Sequence, residues 1–422
     1  MDTFEFIRDP LIREGVEQAV QKTLMAALVQ RVYPGHFTVT ADGSHFGSDI
    51  TWPGLDSWEM AGAYLLLGRP EVAQNYFAFT RVSQKPDGNI PFAIVPAEPE
   101  PARDTYFRGM HYPEDIYEHT SADGSTRRWV GLFDHWQINA NPLSVLAPIC
   151  YVLTANEIVG AKPPINWLAE NIKSIDLAGR HVLSRKSENG LISGAGFYIE
   201  CPPRNQWDGI TQCYAIEAFR NLAELCASLG QGGRAHEWTK HADALTQAFQ
   251  KHFWRVDHFA EYVHPEKGVV DRRKLSDVNF AAIGLNVATD AQAKVLWPKL
   301  LADESFWFGG MPTQLVSQPQ IYEPWEWPEP LPWEHANGPV YDVAAMGRVW
   351  YLDALASIRM GAWDRLRASV RLVCQSGKAH DWKWFERYHA KSDGQVEPKG
   401  PGGYCEYAAI LVRIVLRNAE QF

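Results

Sequence analysis

Two short stretches carry carboxylates in settings suited to proton transfer. In RNQWDGIT, Asp208 stands between Trp207 and Gly209 ahead of a helix-like run; in WFERYHAKSDGQ, Glu386 lies in acid-rich sequence that also precedes a helix. An indole against a carboxyl disfavours the charged form and raises the pKa, which a proton donor needs near neutral pH. A second carboxylate on another connection then serves as the base. Each residue also has an ordinary reading: Asp208 as the N-cap of a helix beginning at Gly209 or Ile210, Glu386 as a surface partner of Arg387 or Lys383. Asp56, after a Pro-Gly turn, suits a backbone N–H or a hydroxyl equally. Gln137, Asn139 and Asn141 crowd more amides into one stretch than a helix start needs, and Arg204 either pairs with an acid or binds a substrate carboxylate. Trp58 and Trp136 fit a core or a stacking platform, and His335 and His389 lie close to the same loops.

The elements that must position these groups are helices. Apolar residues recur at helical spacing near 11–31, 54–67, 70–83, 141–159, 163–183, 209–229, 233–253, 277–286, 290–302, 338–358, 361–375 and 403–418. Short junctions with helix-breaking residues (LLLGRPEV, SLGQGGRA, SIRMGAWD) alternate with long connections at 84–140, 184–208, 254–276, 303–337 and 376–402. Helical hairpins around a ring put short turns on one face and long loops on the other, so the reading is all-α. It is an (α/α)6 barrel of six helical hairpins with long active-site loops on one face, a single domain over 1–422 with a lid or β-excursion at 84–140. A TPR-like or HEAT-like array is the alternative, but no fixed repeat period is present.

Composition narrows the partners. The net charge is −10, with 40 basic and 50 acidic residues, which argues against nucleic acid and anionic membranes. Seventeen Trp is high, and Trp52, Trp136, Trp207, Trp325, Trp327, Trp333, Trp382 and Trp384 sit in loop-like text. As a set they suit a cleft that stacks on sugar rings. The six cysteines form no CxxC, there is no HExxH, P-loop or calcium loop, and so no metal and no cofactor are expected. With no signal-like or membrane-spanning apolar run, the expected location is the cytoplasm. The oligomeric state stays open.

An ordered set of texts resembles the six-hairpin glycosidases of the family that includes processing α-glucosidase and the mannosylglycerate or glucosylglycerate hydrolases, and more distantly trehalase. The texts are GLDSWEMAGAYLLLG, QKPDGNIPF, HWQINANPLSVLAPICYVL, RNQWDG, DVNFAAIGL, GGMPT, ANGPVYDVAAMGRVWYL, WFERYHAKSDGQ and GPGGYCEYAAILVRIVL. The resemblance implies Asp208 as general acid and Glu386 as general base of an inverting hydrolysis, a reaction that needs two carboxyl groups roughly 6.5–9.5 Å apart. Residues expected on the substrate are Asp56, Trp58, Trp136, Gln137, Asn139, Arg204, Trp207, Trp333, His335, Tyr341, Trp384, Glu406 and Tyr407. Departures fall on the pocket pattern: Leu55 where Trp is frequent, Gln206 for Gly, Val340-Tyr341 after Gly338-Pro339, and Glu406-Tyr407 in a trehalase-like arrangement. The expected activity is an exo-acting α-glycosidase that releases a monosaccharide, glucose first, from a short substrate. Rival readings are a sugar 2-epimerase with paired histidines drawn from His181, His241, His335 and His389, a lyase on an anionic polymer, disfavoured by the charge, and a carbohydrate-binding protein without catalysis.

Overall fold

The computed structural model describes residues 4–29, 32–43, 49–97, 116–133, 145–194, 197, 204–314, 323–326, 344–390 and 396–422. They are mostly helical. α1 (Pro10–Gln18) starts on Asp9, whose carboxylate accepts the Leu11 and Ile12 N–H groups, and runs through a π-helical stretch, Ala19–Leu24, into α2 (Met25–Val29). There follow α3 (Leu55–Leu66), α4 (Pro70–Val82), α5 (Leu146–Gly160), α6 (Trp167–Ser184), α7 (Gly209–Ser228), α8 (Gly232–Phe253), α9 (Asp277–Gly284), α10 (Asp290–Ala302), α11 (Gly347–Arg359), α12 (Trp363–Ala379) and α13 (Cys405–Arg417). The short junctions turn through Gly68, Gly230 and Gly361, all at φ near +70°, where a side chain would be strained.

Burial separates two kinds of helix. Eleven of the 13 residues of α13 are buried, charged Glu406 and Arg413 included, against five of the 22 in α8, where Trp238, Ala242, Leu245, Phe249 and Phe253 make one stripe. The heavily buried helices pack in the order α3, α5, α7, α9, α11, α13, and α13 returns to α3. They run parallel. Arg204 joins Asp208 at the start of α7 to Asp277 at the start of α9, while Arg359 near the end of α11 donates to the Ile283 carbonyl near the end of α9.

Strands occupy the long connections. β1 (Ala93–Pro96), β2 (Ile116–Thr120) and β3 (Thr126–Leu132) form an antiparallel sheet with β3 central; β4 (Trp207–Asp208) pairs with β5 (Tyr262–His264), and β5 with β6 (Gly268–Val270); β7 (Phe385–Ala390) and β8 (Val396–Gly402) make a hairpin. The expectation of an all-α chain is corrected to this extent. The reading of helix from 338 is also corrected: 344–346 are not helical, because Ala345 bridges Gln314 and Tyr388, and α11 begins at Gly347. No helix among the described residues is long and apolar enough to cross a membrane.

Candidate active site

The starts of the parallel helices gather charge at one end of the ring. Asp56 is the second residue of α3, Asp208 caps α7, Asp277 opens α9, Arg348 is second in α11 and Glu406 second in α13. Short acidic side chains suit these posts because the first-turn N–H groups lack partners and the helix dipole is positive there.

Asp208 is 1% exposed. Its Oδ2 accepts the Thr211 N–H and hydroxyl, both at 3.2 Å, and the Phe197 N–H at 3.3 Å; Oδ1 accepts from Arg204 Nη1 at 3.3 Å. Burial pushes its carboxyl above the ordinary value, against the pull of Arg204 and the helix N–H groups. Trp207 and Asp208 are successive strand residues whose side chains leave on opposite faces, and Trp207 Nε1 donates to Ser187 Oγ at 3.0 Å. Arg204 lies 2% exposed among acids, 2.9 Å from Glu261, 2.8 Å from Asp277 and 3.3 Å from Asp208, so its guanidinium is turned to carboxyl groups of the protein. Beyond it Arg273 bridges Glu261 and Glu326 at 2.6 and 3.1 Å, and Arg272 also pairs with Glu326.

Glu386 is set differently. It sits at the irregularity between Phe385 and Arg387 in β7, its side chain 16% exposed and 3.3 Å from Arg387. Opposite is Gly400, at φ +80°, where a Cβ would stand 2.6 Å from Glu386 Oε2. The glycine makes the room that the carboxylate occupies. The charge of Glu386 reaches Tyr404, whose hydroxyl donates to Asp56 Oδ1 at 2.7 Å. Arg348 lies 3.6 Å from Asp56 and grips Glu406 through Nε at 2.8 Å, Nη2 at 3.2 Å and its own backbone N–H. Burial lifts Glu406 to about 7, opposed by Arg348. Glu59, one turn into α3, is fully buried, its carboxyl raised by burial and by Glu406, and neither of its oxygens has a hydrogen-bond partner among the described residues.

Asp56 and Glu406 thus lie together near Glu386, with Asp208 at the same end. Trp384 and Tyr407 are core residues: both are 0% exposed, with Trp384 Nε1 on the Val373 carbonyl and the Tyr407 hydroxyl on that of Pro312. Trp58 is buried inside the ring, with Tyr214 and Tyr351 edge-on and the Arg413 guanidinium 4.6 Å from its centre. His389 is held down to about 4 by burial and by Arg387 and Lys399. His181 and His241 ride on α6 and α8, which lie outside the ring. Trp136, Gln137, Asn139, Trp333, His335 and Tyr341 lie outside the described residues. Arg348, Tyr404, Glu59, Glu261 and Asp277 escaped the sequence reading, although GLDSWE, DVNF, MGRVW and GGYCEY lie within texts singled out around four of them.

No family model matches the sequence, and no curated protein matches it. Solved structures do. A rhamnosidase from Klebsiella oxytoca with rhamnose bound aligns over 98% of this chain at TM-score 0.63 and 12% identity. This chain spans 64% of that protein's length. A GH78 family rhamnosidase of Bacillus sp. GL1 aligns over 98% of this chain and 35% of its own, at TM-score 0.60 and 12% identity. A GH63 mannosylglycerate hydrolase from Thermus thermophilus, in complex with glucose, aligns over 96% of this chain and 99% of its own, at TM-score 0.60 and 12% identity. The chain therefore has the fold of helical-barrel glycosidases, with small sheets added.

Proposed function

We propose that the chain is an inverting, exo-acting α-glycoside hydrolase on a single (α/α)6 barrel, α3, α5, α7, α9, α11 and α13 being the inner layer. The observation that carries this is the presence, at one end of the ring, of a buried carboxyl raised in pKa ahead of α7 and a partly exposed carboxylate on the connection ahead of α13, on the other side of the ring. The fold shared with glycosidases solved with rhamnose and with glucose supports it. Asp208 gives its proton to the glycosidic oxygen as the C–O bond breaks, and Glu386 takes a proton from the water whose oxygen bonds to the anomeric carbon from the opposite face. Asp208 ends as carboxylate and Glu386 as acid, and exchange with solvent restores both. Asp56, Tyr404 and Arg348 offer the hydrogen bonds that orient the sugar near Glu386, and Arg204 serves Asp208 rather than a substrate carboxylate. The expected substrate is a short α-linked glycoside with glucose as the released unit.

A panel of α-linked disaccharides and glycosylglycerates, followed by proton NMR of the first product, tests the reading. Release of a monosaccharide of opposite anomeric configuration is expected. Retention would make Glu386 a nucleophile; interconversion of free sugars without hydrolysis would move the chain to the epimerases, and binding without turnover to the non-catalytic class.

A further inference from the structure

The acids around Arg204 bear on how Asp208 keeps its proton, which rests on the reading of Asp208 as proton donor. Arg204, Glu261, Asp277 and Asp208 are each at most 2% exposed, so water screens their charges little. Arg204 gives Nη1 and Nη2 to Asp277 at 3.2 and 2.8 Å and Nε to Glu261 at 2.9 Å. Asp208 receives only Nη1, at 3.3 Å, a nitrogen it shares with Asp277. Glu261 adjoins Tyr262, the strand partner of Asp208, and its carbonyl accepts the Gly209 N–H at 3.1 Å.

We propose that Glu261 is a positioning residue which, with Asp277, engages the charge of Arg204 and thereby keeps Asp208 protonated. Three buried carboxyls, those of Asp208, Asp277 and Glu261, converge on the one Arg204 guanidinium, and Glu261 reaches Arg273 as well. Of acids that share one guanidinium, the one on the longest contact gains least from its charge and is the most costly to ionise in a buried place. The carboxyl on the longest contact with Arg204 is Asp208. Glu261, held by two arginines, is lowered despite burial, while Asp208 is raised. Among the described residues, the other groups that act on Asp208 are the Phe197, Ile210 and Thr211 N–H groups, the Thr211 hydroxyl and the Cys213 thiol, which burial keeps neutral. Both backbone N–H groups hydrogen-bonded to Asp208, those of Phe197 and Thr211, fall on Oδ2, which favours Oδ1 as the oxygen that carries the transferable proton.

Glu261→Gln keeps the shape and an oxygen acceptor but removes one negative charge, so Arg204 is released to ionise Asp208. The alkaline limb of kcat/KM on an unactivated glycoside should move down by about one pH unit or more, with about a tenfold loss above it. Turnover of the matching glycosyl fluoride, whose leaving group needs no proton, should change little. With the carboxyl isotope label on aspartate alone, which keeps the raised Glu59 and Glu406 out of the signal, infrared spectra at neutral pH should show a carboxylic-acid band in the wild type that is lost in Asp208→Asn and in Glu261→Gln. A folded Glu261→Gln protein with an unmoved alkaline limb or an intact acid band overturns the proposal. Should that variant fail to fold, Asp277→Asn must give the same shifts, and the same two negative outcomes decide against it. A wild type inactive on every glycoside removes the functional reading alone, since the infrared band reports Asp208 without turnover.

Discussion

The two ends of the ring are made by the same helices yet finish them in opposite ways. At the N-terminal end Asp56, Asp208, Asp277 and Glu406 stand in or beside first turns. At the C-terminal end arginines complete the carbonyls: Arg220 donates to Leu285 and Asn286, Arg359 to Ile283 and Ala288, while Arg413 and Arg417 meet Glu157. Both patterns follow the helix dipole. A cavity of about 280 Å³ remains at the second end, among Asn156, Glu157, Glu217, Asn221 and Arg417. The difference lies in the outcome for protons. The dipole favours ionised acids at helix starts, but burial outweighs it and raises Asp208 and Glu406. One end stores protons and the other fixes the frame.

Asp208→Asn attacks the first half of that contrast and should have the largest effect, about 10²–10⁴-fold lower kcat/KM on unactivated glycosides with an unchanged circular dichroism spectrum. Normal turnover by this variant would remove Asp208 as the acid. Gly400→Ala tests the opening for Glu386: a methyl 2.6 Å from Oε2, on a residue at φ +80°, should displace the carboxylate and lower kcat on the order of 10²-fold. An unchanged kcat would separate Glu386 from the chemistry.

The C-terminal end should answer in stability instead. Glu157→Gln leaves the 0% exposed Arg413 without its carboxylate, and denaturant unfolding should show a loss of about 3 kcal/mol. Its kcat at saturation should stay that of the wild type; a parallel fall in kcat would join the two ends into one machine. The smallest effect concerns Glu406. Its folded pKa, about 7, lies above the ordinary 4.5, so the native state holds the extra proton and stability is lost as pH rises between those values. Unfolding measured at pH 5 and pH 7 should show a drop on the order of 1–3 kcal/mol in wild type that shrinks in Glu406→Gln. Equal slopes in the two proteins would place that titration elsewhere.

The sequence announced the helices well because burial on all sides, as in α13, and burial on one stripe, as in α8, both leave an apolar rhythm at helical spacing. It was less informative where a neighbour from another connection decides. The start of α11 depends on Ala345 bridging Gln314 and Tyr388, which no local pattern signals. Trp207 beside Asp208 gave no hint that its indole N–H is taken by Ser187, 20 residues away. Arg348 and Glu406 are 58 residues apart and Arg204 and Asp277 are 73, so their pairings exist only once neighbouring inner helices pack. Single charged letters in helix starts carried no mark of that.

Parallel ring helices also shape how such a protein can change over generations. Each long connection enters the same end, so a lengthened or exchanged loop alters what surrounds Asp208 and Glu386 while the opposite end keeps its arginine frame. The β4–β5–β6 sheet sets a condition on this freedom, because it ties the segment before α7 to the one before α9. Those two connections are inherited as a pair, and the β7–β8 hairpin that carries Glu386 is likewise tied, through the Tyr388–Ala345 bridge, to the segment before α11.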